Sequence, residues 1–246
     1  PDDNSGVFQY VSIRHGGADI SSGNEINGLT LGAVGRGTTI NNVEVVANVD
    51  DGVEYFGGNV NTESILVWAQ GDDGLDIDQA YSGTISNSVV ILGNNSDHGM
   101  EIDGPEGDLN GEFTLNNITL IGNADTQNGE YADYRSRAMG ASNGVYAYGF
   151  PDGKDVELDN NGVAQNYLDG ILSFSMWEVV GFDNSIFVEK VATDDNGDTN
   201  EEKIILMPEF TERAADWTTQ VDKGANTVGA DLVEVDWTYA KGKGDF

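Results

Sequence analysis

Three short stretches decide the fold: Asp51-Gly52-Val53-Glu54-Tyr55, Asp73-Gly74-Leu75-Asp76-Ile77 and His98-Gly99-Met100-Glu101-Ile102. Each opens on a polar turn residue plus glycine and continues as an alternating strand. Asn27-Gly28-Leu29-Thr30-Leu31 is a fourth copy, and Asn143-Gly144-Val145-Tyr146-Ala147 and Asp169-Gly170-Ile171-Leu172-Ser173 are weaker ones. The glycines step by 24 residues (28 to 52), 22 (52 to 74) and 25 (74 to 99), then by 45 (99 to 144) and 26 (144 to 170). A second motif keeps the same beat. Thr39-Ile40-Asn41-Asn42-Val43-Glu44-Val45 matches Thr84-Ile85-Ser86-Asn87-Ser88-Val89-Val90 and Thr114-Leu115-Asn116-Asn117-Ile118-Thr119-Leu120, with 62–67 as a looser copy.

Two strands and two turns in about 22–28 residues make one coil of a stacked solenoid. A leucine-rich repeat needs regular leucines and a helical segment, and a propeller blade needs about 40 residues or more. The expected fold is therefore all-β: a single-stranded right-handed parallel β-helix. Strand parity turns Leu29, Leu31, Val53, Tyr55, Leu75, Ile77, Met100 and Ile102 inward. Val43, Val45, Ile65, Val67, Val90, Ile118 and Leu120 do the same from the other motif. The opening glycine permits a sharp corner or a positive φ. Asn42, Asn87 and Asn117 share one turn position, where stacked amides can bond along the axis.

The doubled step predicts an insertion over 122–142, carrying Tyr131, Tyr134, Arg135 and Arg137. Past Phe187 the repeat fades. The reading places the β-helix in 1–190. An acidic loop, a short helix from Glu209 to Trp217 and a capping strand (Val233, Val235, Trp237, Tyr239) follow in 191–246 of the same domain.

The composition narrows the partners. Eleven Lys plus Arg stand against 43 Asp plus Glu, a formal charge of −32 over 246 residues. No basic patch is available to neutralise phosphates, which excludes nucleic acid and disfavours anionic membranes. The absence of cysteine excludes disulfides, thiolate metal sites and a Cys nucleophile. No apolar run reaches the 18 residues of a transmembrane helix. No signal peptide is visible and a strand starts almost at once, so the chain is expected to begin partway through a longer precursor.

The repeat residues together resemble a known group. Asn24 to Gly32 with Gly37-Thr38-Thr39-Ile40, Asp50 to Gly58, and Asp97 to Gly107 look like secreted or surface bacterial β-helix proteins of the pectin-lyase-like type. The resemblance covers roughly 6–125, with an echo at Trp237-Thr238-Tyr239-Ala240. It implies the fold and a place outside the cell or on the outer-membrane surface, and it brings no activity. A fainter similarity runs to polygalacturonase-type glycosidases, which show Asn-x-Asp, Asp-Asp and His-Gly on successive coils. Here stand Asn48-Val49-Asp50, Asp72-Asp73-Gly74 and His98-Gly99, but the following Arg-x-Lys is missing.

Stacking sets coils about 4.8 Å apart, so equal positions form ladders. Glu54, Asp76 and Glu101 occupy one outward position, and Asp78 and Asp103 another. Like charges at that spacing repel by roughly 1 kcal/mol per pair even in water. Calcium is the expected partner, as a hard cation taking carboxylate oxygens; a solvated acidic surface is the competing reading. Asp194, Asn196 and Asp198 form a second, looser calcium candidate, with Thr199 where a turn glycine belongs. For hydrolysis, Asp50, Asp72 and Asp73 are acid and base candidates at the roughly 6.5–9.5 Å of an inverting pair, with His98 tuning the acid. Corner duty in the repeat explains Asp73 and His98 equally. A calcium-dependent lyase needs an Arg or Lys base, for which Arg36 is available. Trp68, Tyr81, Tyr146 and Tyr148 are candidate sugar-stacking rings, joined in the insertion by Tyr131, Tyr134, Arg135 and Arg137. The functional expectation is a calcium-binding surface module with a structural, adhesive or carbohydrate-binding role, its partner a polysaccharide or another envelope protein. A polysaccharide-cleaving enzyme is the alternative.

Overall fold

The computed structural model describes residues 2–18, 20–21, 25–181, 186–189, 208–244 and 246. The chain winds between two parallel sheets, giving one strand to each per coil. The first sheet stacks β1 (Val7–Arg14), β3 (Thr39–Val46), β5 (Thr62–Trp68), β7 (Thr84–Ile91), β9 (Phe113–Ile121) and β11 (Gly140–Tyr148) in that order. It ends with β13 (Leu172–Ser175) and β14 (Trp177–Val179), both on β11, and β16 (Thr218–Gln220) on β14. The second sheet stacks β2 (Leu29–Gly32), β4 (Val53–Phe56), β6 (Leu75–Asp78), β8 (His98–Ile102), β10 (Glu130–Tyr134), β12 (Val156–Leu158) and β15 (Phe187–Glu189). This is the parallel β-helix that the repeat implies.

The inward residues are those that parity selects. Val53, Tyr55, Leu75, Ile77, Met100 and Ile102 meet Val43, Val45, Ile65, Val67, Val90, Ile118 and Leu120, each no more than 1% exposed. The asparagine position is a corner in which the backbone turns left-handed. Tyr10, Asn42, Ser64, Asn87, Asn117 and Met176 all have φ between 50° and 55°. One such residue reverses the alternation, so that Ile40 before it and Val43 after it both point inward. Asparagine tolerates this conformation better than most side chains. The amide stack itself is partial: Asn87 donates to Ser64 Oγ at 3.1 Å and Asn42 to the neighbouring Asn41 at 3.3 Å.

The opening glycines need no positive φ. A Cβ on Gly52 would lie 2.6 Å from the Gly74 carbonyl oxygen, and one on Gly74 would lie 2.5 Å from that of Gly99. Coil-to-coil approach, not a turn type, excludes a side chain there.

The expected insertion is an ordinary coil. Within 122–142 lies β10, whose Ala132, Asp133 and Tyr134 pair with Met100, Glu101 and Ile102. Tyr131 stands where the four preceding coils have glycine, so the opening signal is missing. Asn143-Gly144 belongs to the other sheet: Asn143 pairs with Asn116, and Gly144 (φ 69°) sits at the left-handed corner. Asp169-Gly170 likewise ends helix α1 (Asn161–Leu168) and leads into β13 of the first sheet.

The short helix forms as α2 (Pro208–Trp217), and it closes the end of the core. Phe210 and Ala214 are fully buried. Trp217 stacks on Phe174 at 4.9 Å and meets Phe187 edge-on at 4.8 Å. The tail makes no capping strand. Asp231 caps a 3-10 turn (Leu232–Val235) and Thr238 caps α3 (Tyr239–Lys243), both through side chain to backbone bonds. The tail runs back over the first sheet as a strap, bonding Thr119, Asn87 and Glu44 in turn. It covers an outward apolar row of Leu66, Val89, Ile91, Ile121, Tyr146 and Tyr148. Of the alternating residues in 233–239 only Val235 is buried against that row; Val233 is 69% exposed and Tyr239 37%.

If coil approach dictates the glycine, Gly74→Ala lowers stability by about 1–3 kcal/mol, the usual range for overpacking. Urea unfolding of the two proteins measures this, and an unchanged midpoint would contradict the reading.

Candidate functional site

The second sheet turns its outer face to a groove of about 440 Å3, lined by Glu54, Asp76, Asp78, Glu101, Asp103, Glu106 and Arg135. The register explains the gathering. Glu54, Asp76, Glu101, Asp133 and Glu157 align on successive coils in one row. Phe56 and Asp78 stand in the next row, which Asp103, Arg135 and Asp159 extend along the same face. All five carboxylates expected on this face are in the groove together. They are sunk rather than freely solvated, with Glu54 only 8% exposed and Asp76 and Glu101 half-buried.

Resident cations compensate part of the row. Arg135 reaches Glu101 at 2.5 Å and Asp103 at 2.7 Å, with its Nε also on Asp103. His98 Nδ1 lies 2.8 Å from Asp73 and 3.8 Å from Glu101. Backbone donors assist: Asp73 N–H donates to Asp51, and His98 N–H to Asp73. Asn27 donates to Glu54. Among the described residues no basic side chain pairs with Asp51, Glu54 or Asp76, whose nearest oxygens lie within 4.8 Å of one another.

Burial and mutual repulsion raise the proton affinity of these acids. Burial pushes Asp51 up to about 8, with Asp73 adding to it. Burial raises Glu54 to about 7, helped by Asp78, and Glu101 to about 9 despite Arg135. Asp76 rises furthest, through burial and then the charges of Asp51, Glu101 and Glu54. Asp133 reaches about 8 by burial and the neighbouring Glu157. Burial works against the charge on His98, but its hydrogen bond to Asp73 and the surrounding carboxylates overcome this and lift it to about 10.

The hydrolase candidates sit on the corner beside the groove. Asp50, Asp51 and Asp72 bring oxygens within 4.8 Å of one another, below the roughly 6.5–9.5 Å of an inverting pair. Asp73, 4% exposed, accepts from both the backbone and the ring of His98, which is corner duty.

The expectation of exposed aromatic rings is corrected. Tyr81, Tyr131 and Tyr134 are 1%, 5% and 0% exposed. Tyr131 and Tyr134 are inward residues of β10, Tyr131 stacking on Phe150 at 3.7 Å. Tyr81 donates to the Val60 carbonyl. Trp68 packs toward Tyr239 under the strap, where Tyr146 and Tyr148 are also buried. Arg137 donates to the Pro105 carbonyl and braces a turn. Arg36 pairs with Asp2. Asp194, Asn196 and Asp198 lie outside the described residues.

The sequence reading passed over Asp51, Asp133, Glu157 and Asp159. Recognising Glu130–Tyr134 as a coil would have placed Asp133 directly above Glu101.

The profile of the pectate-lyase-like β-helix domain matches residues 1–238. The chain belongs to that family. No curated protein and no solved structure matches it. In this pectate-lyase-like β-helix no helix among the described residues is long and apolar enough to cross a membrane.

The raised acids and His98 bind more protons folded than unfolded, so metal-free stability falls with rising pH. The acids' contribution is complete below about pH 4 and fades as pH climbs through about 7 to 9. That of His98 is complete below its ordinary 6.5 and fades through about 10. Melting in EDTA from pH 5 to 9 should show a steady fall in Tm; a rise across that range would refute the burial described.

Proposed function

We propose that this domain is a calcium-binding β-helix module of the outer cell surface or extracellular space, with a structural, adhesive or carbohydrate-binding role in a larger envelope protein or complex. The observation that carries it is the Asp51, Glu54 and Asp76 group: three carboxylates from two coils, within 4.8 Å of one another and paired with no basic side chain among the described residues. Such an arrangement demands protons or an external cation. At neutral pH an all-oxygen set of this kind suits calcium, whose ligands are carboxylates and carbonyls at about 2.3–2.6 Å. Asp78, Glu101 and Asp103 supply further oxygens along the groove. Calcium there also offers a bridge to acidic polysaccharide, which the bare groove repels.

One observation favours the enzyme alternative: Arg135 stands in the ladder itself, where a calcium-dependent lyase needs its base. Its contacts with Glu101 and Asp103 raise its pKa above the usual arginine value, so metal-free Arg135 is a fixed cation. It gains access to base chemistry only if calcium takes those carboxylates from it.

A melt at pH 7.5 in EDTA, then with calcium restored, tests the binding. At a hundredfold excess over Kd a ligand adds about 2.7 kcal/mol, roughly 5–11 °C of Tm in a chain of this size. The double substitution Glu54→Gln/Asp76→Asn should abolish that gain and raise the Tm in EDTA. An equal calcium response in both proteins, or none in the wild type, would reject the site. Unsaturated sugar product from acidic polysaccharide in calcium, lost in Arg135→Gln with calcium binding intact, would establish the lyase reading instead.

A further inference from the structure

The two ends of the solenoid differ. At one, α2 lays Phe210 and Ala214 over the core and closes it. At the other, β1 and β2 are the outermost strands of their sheets, and among the described residues no strand pairs with their outer edges. Phe8, Ile13 and Leu29 of this first coil pack on the core but are only partly buried. Their register partners one coil on, Ile40, Val45 and Val53, are at most 5% exposed. An unpaired strand edge beside an unsealed core is a template for further pairing.

This end is also selective in charge. β1 reads VFQYVSIR and β2 reads LTLG, with no acid in either, although the chain holds 43 Asp plus Glu. Each of β3, β4, β5 and β6 carries at least one. Two copies meeting through β1 and β2 therefore set no strand carboxylate against another, despite a formal charge of −32 on each chain.

The backbone fixes a register. In a strand, the N–H and C=O of one residue point to the same edge and those of the next residue to the other. The Gly6 carbonyl accepts from the Thr39 N–H, and the His15 N–H donates to the Val46 carbonyl. Even-numbered Gly6 and odd-numbered His15 thus both face β3, so the alternation reverses once between them. The reversal lies at the left-handed Tyr10, whose φ is 54°. Phe8 then faces β3 before the corner and Ile13 after it. Val7, Gln9, Ser12 and Arg14 are left directed at the free edge.

Antiparallel pairing requires edge-directed residues to stand opposite each other. A second, reversed β1 with Val7 opposite Arg14 also places Gln9 opposite Ser12 and inward Phe8 opposite inward Ile13. Every edge-directed group then meets its like, and the core side chains of the two coils adjoin. A strand without the reversal at Tyr10 has no such match in this register. The edge is self-complementary in the way a two-fold axis demands.

We propose that the open end binds a second copy of this chain head to head, β1 pairing antiparallel with β1 across a two-fold axis. Each copy supplies the neighbouring coil that the other lacks. The contact is independent of the acidic groove and of calcium.

Sedimentation equilibrium on the full chain in EDTA should give a dimer. It should tighten as NaCl is raised to about 0.5 M and the repulsion of net charge is screened. Gln9→Pro removes an N–H that β3 does not receive, and should weaken the dimer at least about tenfold with circular dichroism unchanged. Should that variant misfold, Val7→Pro, at the first residue of the strand, should give the same loss. Cross-linking reads the register, in a chain with no cysteine of its own. Facing residues of a hydrogen-bonded antiparallel pair stand about 5.5 Å apart at Cα, within disulfide reach. Val7→Cys/Arg14→Cys should oxidise to a covalent dimer, and neither single variant should. A folded proline variant that dimerises like wild type overturns the proposal. So does a wild type that stays monomeric at millimolar concentration, or whose mass grows beyond the dimer. Single cysteine variants that cross-link as well as the double overturn it too.

Discussion

Every coil rests on the next at about 4.8 Å, and this one spacing governs the whole molecule. It sets equal positions of the repeat against each other for the length of the chain. Inside, that is favourable: Val45 lies on Val67 and Tyr55 on Ile77, all buried. Outside, the same rule sets Glu54 against Asp76 and Asp76 against Glu101. Two such charges repel by about 1 kcal/mol in water and by several times more where water is excluded. The acidic face is therefore a charge problem created by the fold. Each local feature of the site is a partial answer to it: the raised proton affinity of Asp51 and Asp76, the His98 and Arg135 cations, and donors from Asn27 and the backbone.

The corners obey the same spacing. Gly52 and Gly74 are glycine because the next coil's carbonyl lies where a side chain would begin. Close by, Asn48, Gln70, Ser96 and Thr126 form a buried polar ladder through the turns. Asn48 donates to the Ile26 and Asp51 carbonyls, Ser96 to Gln70 and Thr126 to Ser96. These bonds help to satisfy the turn carbonyls, of which that of Asp51 also accepts the Gly28 N–H. They also fix the corner from which Asp51, Asp73 and His98 project, so the geometry of the acidic row is inherited from the turns.

The fold was legible because solenoid stacking writes itself into the sequence at a fixed interval. The core residues followed from parity alone, and so did the five groove carboxylates. What failed was the coil that lacks the marker. Tyr131 replaces the opening glycine, and Asn143-Gly144 imitates it while doing a different job, so a regular coil looked like an insertion. That single misreading hid Asp133 and put Arg135 in the wrong place. Burial was the other blind spot. Parity says that a side chain points outward but not whether a neighbouring turn or the strap covers it, so Tyr146 and Tyr148 could not be told from exposed rings. The strap escaped because its partners are more than 100 residues away in sequence, as with Ala230 on Thr119.

The covering of one face bears on the use of another. Through the strap the protein closes the apolar outer row of its first sheet, removing the surface most suited to a hydrophobic partner. The rows near the start of that sheet stay polar, with Thr39, Asn41, Glu63, Thr84 and Ser86 lining a shallow groove. Among the described residues the second sheet has no such cover. Its carboxylates are held close by strands that cannot move apart without breaking the ladder. An electrostatic strain this rigidly framed is relieved by what arrives from solution, protons or cations, and not by rearrangement. That makes the acidic face the part of the solenoid most responsive to pH, and it is why chemistry is to be sought there.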